Sequence, residues 1–145
     1  NLTTTLQYDI KYKNHIFLPA GNAPFLWVDV NDIGKAVAEV LRNVSAHAGK
    51  VYTITGQTLY TFAQVAALLT QVTGRAIKYV SPGLLSFYLQ KRREDNAPSY
   101  IFVLIMLHYL ARFEKQPEVS QDFYNLTGEQ PNTLLNFITQ YRGLL

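Results

Sequence analysis

Residues 18–41, LPAGNAPFLWVDVNDIGKAVAEVL, place a turn, a short apolar strand and an amphipathic helix in direct succession. Asn31 or Asp32 can accept hydrogen bonds from the free amides of the first helical turn. The helix carries one apolar stripe, made of Ile33, Val37, Val40, Leu41 and Val44. Because such a stripe must lie on another apolar surface, the fold has to supply a cover for this helix or obtain one from a partner.

The alternation of strand and helix continues to about residue 80. Short strands are predicted at residues 16–18, 25–28, 51–55 and 76–80. Between the last two, Thr61 and Gln64 form the capping box of a helix that Gly74 ends. Beyond residue 83 the pattern predicts helices only, at about residues 84–93, 99–113 and 133–141. We therefore expect one domain over residues 1–145, with a mixed strand and helix part over 1–80 and a helical part over 81–145.

Composition excludes several classes of function. The net charge of +3 is small and its basic residues are scattered, which argues against nucleic-acid binding. The chain has no cysteine, so disulfides, thiolate catalysis and cysteine metal sites are excluded and a reducing cytoplasmic location is permitted. The apolar run at residues 100–107 is far shorter than the ~20 residues of a membrane span. We predict a cytoplasmic protein that contacts neither membrane nor nucleic acid.

The polar residues do not form a recognisable catalytic or metal site. None of the three histidines has a partner at metal-ligand spacing, and His108, inside an apolar helix, is typical of a hydrogen-bonded core or pocket residue. Asp29 and Asp32 could be paired carboxylates, but their place before a helix favours capping. The run from Lys91 to Arg93 could steer an anion, although a solvated helix end is the more frequent arrangement. We predict no catalytic and no metal-binding residue.

Three segments carry a resemblance to a known family. They are LPAGNAPFLWVDVNDIGKAVAEVL, GKVYTITGQTLYTFAQVAALLTQVTGRAIKYV and YNLTGEQPNTLLNFITQY, in this order across most of the chain. Together they resemble the C-terminal part of an NmrA-like protein, within the atypical short-chain dehydrogenase/reductase superfamily. The resemblance implies a fold class between α/β and mostly α: the helical substrate lobe of an NAD(P)-binding Rossmann-type protein, with a few short strands.

The chain departs from the family where the cofactor and the chemistry are concerned. It contains neither G-x-x-G-x-x-G nor G-x-G-x-x-G, the glycine-rich turns that let backbone amides approach a pyrophosphate. No tyrosine is followed four residues later by lysine, the usual catalytic pair of the superfamily. The opening Asn1 resembles the residue just after the last central element of the Rossmann half. We therefore expect that the dinucleotide-binding domain is absent from this chain, which would bind no cofactor and be inactive alone.

Three interpretations stay open. In one, the chain is a self-contained small helical binding domain, which full stability as a monomer would favour. The other two concern a longer parent protein. It could be an NAD(P)-dependent oxidoreductase that resembles nucleoside-diphosphate-sugar epimerases or quinone and carbonyl reductases, with this chain on the side of a small-molecule substrate. It could instead be a non-catalytic regulator that senses NAD(P) and binds a protein partner. The resemblance implies that the helical part lines a substrate pocket, although core packing is the more frequent role of aromatic residues at helical spacing. The predicted substrate-binding residues are Asn1, Tyr88, Tyr100, His108 and Tyr109.

The resemblance also has a consequence for assembly. In the family arrangement residues 51–54 lie at the edge of the Rossmann sheet, and the helix that follows Asn31 packs on that sheet. Without the sheet each uncovered apolar side chain forgoes about 1.5–3 kcal/mol of burial. We therefore expect a dimer or another homo-oligomer that covers these residues, including by pairing of exposed strands, or a rearranged fold.

Overall fold

The computed structural model describes all 145 residues, and about half of them are helical. The elements in chain order are α1 (Gln7–Lys13), β1 (His15–Phe17), β2 (Pro24–Leu26), α2 (Val30–Arg42), α3 (Val44–His47), β3 (Leu59–Thr61), α4 (Phe62–Thr73), β4 (Lys78–Val80), α5 (Leu84–Arg93), α6 (Pro98–Tyr109), a 3₁₀ turn (Leu110–Arg112), α7 (Asp122–Thr127) and α8 (Leu134–Gln140). This confirms the predicted fold class, which is mostly helical with a few short strands.

The chain divides into two compact units. Unit one contains Asn1–Pro24, Tyr60–Gln116 and Tyr141–Leu145, and unit two contains Phe25–Leu59 and Pro117–Gln140. The chain passes from one unit to the other within β2 and again within β3. No helix is long and apolar enough to cross a membrane.

Unit one is built on a parallel pair of strands. β1 and β4 pair with Ile16 opposite Tyr79, so the predicted strands near residues 16–18 and 76–80 exist and are neighbours. The rings of Phe17 and Phe87 stack at 5.8 Å between centroids. The apolar core around this pair includes Leu6, Ile10, Ile16, Val65, Leu69, Phe87 and Ile101.

Helix α4 begins and ends where the sequence predicts. The hydroxyl oxygen of Thr61 accepts a hydrogen bond from the backbone N–H of Gln64, whose side chain in turn accepts from the backbone N–H of Thr61 at 2.8 Å. Gly74 ends the helix with φ of 71°, a conformation that glycine adopts without steric cost.

Helix α2 of unit two is capped by Asp29, one of the residues for which capping was predicted, and not by Asn31 or Asp32. Asp29 is the N-cap, since its Oδ1 accepts from the backbone N–H of Asn31 at 2.9 Å. Asp32 lies in the first turn and instead accepts from the backbone N–H of Asn132 at 2.7 Å. The expectation that Asn31 or Asp32 caps the helix is therefore wrong, because the helix begins at Val30, earlier than the apolar stripe indicates.

The predicted strand at residues 51–55 is absent. Its backbone bonds to side chains rather than to a neighbouring strand: the N–H of Thr53 donates to Asp122 at 2.7 Å. Nearby, the hydroxyl of Thr55 accepts from the backbone N–H of Ser120 at 3.0 Å. A β-strand forms only when another strand completes its ladder, so β-propensity alone gave the wrong answer here. The short helix α7, which supplies Asp122, was not predicted.

The apolar stripe of α2 and the nearby sequence at Val51 and Ile54 lack a full cover, as expected. Val51 is 90% exposed, Leu41 is 67% exposed and Val37 is 51% exposed. Val40 and Ile54 are only half-buried.

A second apolar surface lies on α6 in unit one, where only Ile101 and Leu104 are buried. Its exposed residues are Phe102, Val103, Met106 and Leu107.

Candidate functional site

Unit one contains a cavity of about 520 Å³, a volume typical of small-molecule sites. Its apolar and aromatic lining residues are Leu6, Tyr8, Phe17, Leu18, Tyr100 and Leu104. Its charged lining residues supply two carboxylates and two ammonium groups, from Asp9, Lys13, Lys91 and Glu94. A cavity of this kind can hold a flat apolar molecule and hydrogen-bond to a polar group at one of its edges.

The four charged residues form a closed ring of alternating charge. Nζ of Lys13 lies 2.7 Å from Oδ1 of Asp9 and 2.6 Å from Oε1 of Glu94. Nζ of Lys91 lies 3.0 Å from Oδ2 of Asp9 and 2.7 Å from Oε2 of Glu94. Each oxygen thus has one ammonium partner and each ammonium has two carboxylate partners, so the ring carries no net charge.

Local spacing places two residues of the ring on α1 and two at the end of α5. Asp9 and Lys13 stand four residues apart on one face of α1, and Lys91 and Glu94 stand three apart where α5 ends. Tertiary packing brings the two pairs together across more than eighty residues of sequence. Asp9 is 4% exposed, so the cost of burying its charge has to be offset by both ammonium groups.

The ring shifts the pKa values of Asp9, Glu94 and Lys13. Burial alone would raise the pKa of Asp9, but the hydrogen bonds from Lys13 and Lys91 outweigh burial and hold that pKa below its ordinary value. The pKa of Glu94 is lowered by the same two ammonium groups, again against burial. Burial would lower the pKa of Lys13, yet its two carboxylate partners raise it. Asp9, Glu94 and Lys13 therefore stay charged at neutral pH.

His15 stands on β1 beside the cavity. Its ring centroid lies 5.9 Å from that of Phe17, and its Nε2 is buried without a hydrogen-bond partner. Burial lowers the pKa of His15, and the nearby charges of the ring alter that shift in both directions. The imidazole is therefore neutral at physiological pH.

Of the five predicted substrate-binding residues, only Tyr100 lines the cavity. Tyr88 packs with its ring 5.8 Å from Phe102, and Tyr109 packs with its ring 5.5 Å from Phe113. Asn1 is exposed. The structure therefore does not bring the five residues together, and their role in substrate binding stays a prediction.

His108 has a structural partner inside its own helix. Its Nδ1–H donates to the carbonyl oxygen of Leu104 at 2.7 Å, and its ring centroid lies 5.7 Å from that of Phe62. Burial lowers the pKa of His108 more than this hydrogen bond raises it. The residue is thus a neutral, hydrogen-bonded histidine among aromatic rings, the role that its apolar helix indicates.

The charged ring was missed in the sequence. The run from Lys91 to Arg93 suggested a solvated helix end, whereas the side chain of Lys91 is only 12% exposed and bonds to two carboxylates. The spacing of Asp9 with Lys13 and of Lys91 with Glu94 was a usable signal for two helix-surface pairs. No local signal indicated that the two pairs meet.

The carboxylates of unit two have structural roles. Asp29 caps α2 and also accepts from the side-chain amide of Asn132 at 2.8 Å. Burial raises the pKa of Asp32, against the hydrogen bond from the backbone of Asn132, and the neighbouring Asp29 raises it further. The prediction that Asp29 serves as a helix cap is confirmed, and its oxygens are satisfied within the unit.

No family model matches the chain. The festuclavine dehydrogenase of Aspergillus fumigatus is 26% identical over 137 residues, which cover 92% of this chain and 47% of that protein. A solved nucleoside-diphosphate-sugar epimerase of Staphylococcus aureus matches with a TM-score of 0.78 and 25% identity, over 92% of this chain and 46% of that one. The Escherichia coli NADPH-dependent quinone oxidoreductase, solved with NADPH, has a TM-score of 0.79 and 20% identity, over 94% and 48%. The chain spans about half the length of each of these proteins.

Proposed function

We propose that this chain forms the substrate side of an NAD(P)-dependent oxidoreductase. The proposal starts from its likeness, in fold and in sequence, to part of an NmrA-like short-chain dehydrogenase/reductase. The substrate is a small molecule of carbonyl or quinone type. The observation that carries the proposal is the cavity of unit one, with its aromatic wall and its ring of two lysines and two carboxylates. The dehydrogenase, epimerase and quinone oxidoreductase matched over 92–94% of the chain support it.

The residues of this chain do not fit a dinucleotide. Such a cofactor places its pyrophosphate at a helix N-terminus that follows a strand and a glycine-rich turn. At α2 the carboxylate of Asp29 already accepts a hydrogen bond from a first-turn backbone N–H, and at α4 the hydroxyl oxygen of Thr61 does the same. The turn before α5 contains the single glycine Gly83. In the proposal the groups that bind NAD(P) therefore lie outside residues 1–145.

One experiment tests the activity. The protein made from the complete reading frame would be supplied with NADPH and 1,4-naphthoquinone, and the loss of NADPH absorbance would be followed. We expect NADPH consumption that depends on the quinone. A complete protein that binds NADPH but consumes none with quinone, aldehyde or ketone acceptors would contradict an oxidoreductase function.

A second experiment tests where the cofactor binds. Isothermal titration of the 145-residue chain with NADPH should give no binding heat, because no helix N-terminus in the chain is built for a pyrophosphate. Micromolar affinity would show that the chain carries its own dinucleotide site. That result would contradict the proposal that the groups binding NAD(P) lie outside residues 1–145, whatever reaction the complete protein catalyses.

A non-catalytic regulator that senses NAD(P) and binds a protein partner is the second candidate. One observation favours it: two apolar surfaces, on α2 and on α6, are exposed. Exposed apolar surfaces of this extent are typical of interaction sites. The regulator would bind NADPH without consuming it, which the turnover experiment distinguishes. In either case we propose that the 145-residue chain associates with itself.

A further inference from the structure

The ring of four charges has hydrogen-bonding capacity that its own members do not use. An ammonium group has three N–H donors, and each lysine of the ring directs two of them to carboxylates. One donor on Lys13 and one on Lys91 are left over. Each of the four carboxylate oxygens already has an ammonium partner, so these two donors have no acceptor within the ring.

The two lysines differ in their surroundings. Nζ of Lys13 lies 5.2 Å from the ring centroid of Tyr8, so the face of an aromatic ring neighbours that ammonium. Lys91 has no aromatic neighbour of this kind, is 12% exposed and lines the cavity. Lys13 also lines the cavity but its side chain is 31% exposed, so a hydrogen bond from the more buried Lys91 to a bound molecule competes less with water.

The charge balance selects the chemical class of that molecule. An anion would gain from the two ammonium groups but would be repelled by Asp9 and Glu94, which lie within 3.0 Å of them. An uncharged oxygen acceptor meets no such repulsion and accepts a charge-assisted hydrogen bond, the stronger kind. The aromatic wall, with Tyr8 and Tyr100, provides apolar contact for a flat ring system.

We propose that Lys91 donates a hydrogen bond to the carbonyl oxygen of an uncharged aromatic ligand of the quinone class, bound in the cavity that the charged ring and the aromatic residues line. The proposal rests on the function proposed above, since it names the residue that binds the substrate class proposed for the same site. It assigns Lys91 a role in selecting neutral acceptors over anions of the same shape.

A ligand series tests this without any mutation. The 145-residue chain would be titrated with 1,4-naphthoquinone, naphthalene and 1-naphthoate, and backbone amide NMR signals would be followed. We expect the quinone to shift the signals of Tyr8, Phe17 and Leu104 and to bind about tenfold or more tightly than either analogue, as one charge-assisted hydrogen bond predicts. Equal affinity for naphthalene would exclude the hydrogen bond, and tighter binding of naphthoate would exclude the selection of neutral ligands.

A variant pair then identifies the donor. K91M should weaken quinone binding about tenfold and reduce the preference over naphthalene, while K11M, on the same helix as Asp9 but outside the cavity lining, should leave both unchanged. Full quinone affinity in K91M would overturn the assignment. If K91M does not fold, the side-chain NMR signals of Lys91 and Lys13 in the unchanged chain decide the question. The quinone should shift those of Lys91 more, and a shift confined to Lys13 would overturn the assignment.

The two proposals can fail separately. Quinone binding that depends on Lys91, in a complete protein that never consumes NADPH, would refute the enzymatic function and leave the ligand class standing. Quinone-dependent NADPH consumption that K91M does not alter, measured at subsaturating quinone, would refute the role of Lys91 and leave the enzyme standing.

Discussion

The side-chain amide of Asn132 donates a hydrogen bond of 2.8 Å to Oδ2 of Asp29, while Oδ1 of the same carboxylate caps α2. Asn132 also donates its backbone N–H to Asp32. One asparagine thus satisfies two buried carboxylates that would otherwise lack part of their hydrogen bonding inside unit two.

Replacing this asparagine should destabilise the chain. N132A removes the side-chain donor and leaves Oδ2 of the buried Asp29 unsatisfied, which costs about 1–3 kcal/mol of unfolding free energy. Urea denaturation followed by the fluorescence of Trp27, the only tryptophan, measures the change in unit two. N136A is the matched control, because Asn136 is exposed on α8 and its substitution should shift the free energy by less than about 0.5 kcal/mol. Equal effects of the two variants would refute a structural role for the Asn132–Asp29 bond.

Gly56 should not tolerate a side chain. A Cβ at this position would lie 1.8 Å from the carbonyl oxygen of Trp27, and backbone atoms cannot move aside as a flexible side chain can. G56A should therefore destabilise the chain by roughly 3 kcal/mol or more, as overpacking against a rigid neighbour does. Thermal unfolding followed by circular dichroism checks this value.

The matched control is G34A. Gly34 lies in the interior of α2, and a Cβ there would meet no atom within 4 Å. Alanine should stabilise the helix by up to about 1 kcal/mol. We expect the two substitutions to change the free energy of unfolding in opposite directions. A similar loss of stability in both would contradict the claim that the close approach of Trp27 is what excludes a side chain at Gly56.

The ring of charges should make stability depend on acid pH through Asp9. Because the folded-state pKa of Asp9 lies below its ordinary value of 3.8, its contribution is fully present above that value and is lost as the pH falls through the folded-state pKa. D9N cannot ionise, so the stability advantage of the unchanged chain over D9N should be largest above about pH 5 and should shrink below 3.8.

Urea unfolding of both proteins over a pH series, followed by circular dichroism, measures that advantage. D95N is the control, since Asp95 is exposed, stands outside the ring and has a positive φ that asparagine adopts equally well. A D9N difference that is independent of pH would mean that the carboxylate acts through packing alone.

The uncovered stripe of α2 should drive self-association of the 145-residue chain. Val37 and Leu41 are more than half exposed, and burial of each side chain is worth about 1.5–3 kcal/mol. Light scattering should give more than one chain per particle, and the double variant V37E/L41E should shift the particles toward single chains. A38E places a single negative charge beside the stripe on α2 and should leave the association unchanged. A monodisperse single chain without any substitution contradicts this prediction.

The sequence by itself determined what short-range physics controls. Thr61 and Gln64 bond to each other across three residues, and Gly74 adopts a conformation that few other residues tolerate, so the limits of α4 are readable without a structure. The mostly helical fold class and the likeness to an NmrA-like substrate lobe were also available from motifs in order along the chain. The exposed stripe of α2 followed from the same pattern, because the spacing shows which side chains share a face.

Tertiary structure alone decided where distant segments meet. Whether residues 51–55 form a strand depends on the presence of a neighbouring strand. The backbone N–H of Thr53 instead donates to the carboxylate of Asp122, 69 residues away in the sequence. The cavity has the same origin: Asp9 and Lys91 each belong to a local pair that sequence spacing suggests, but the ring closes only because packing places the end of α5 against α1. A hydrogen bond requires its donor and acceptor atoms to lie about 3 Å apart. The residue pattern of one segment does not indicate which distant segment will lie within that distance.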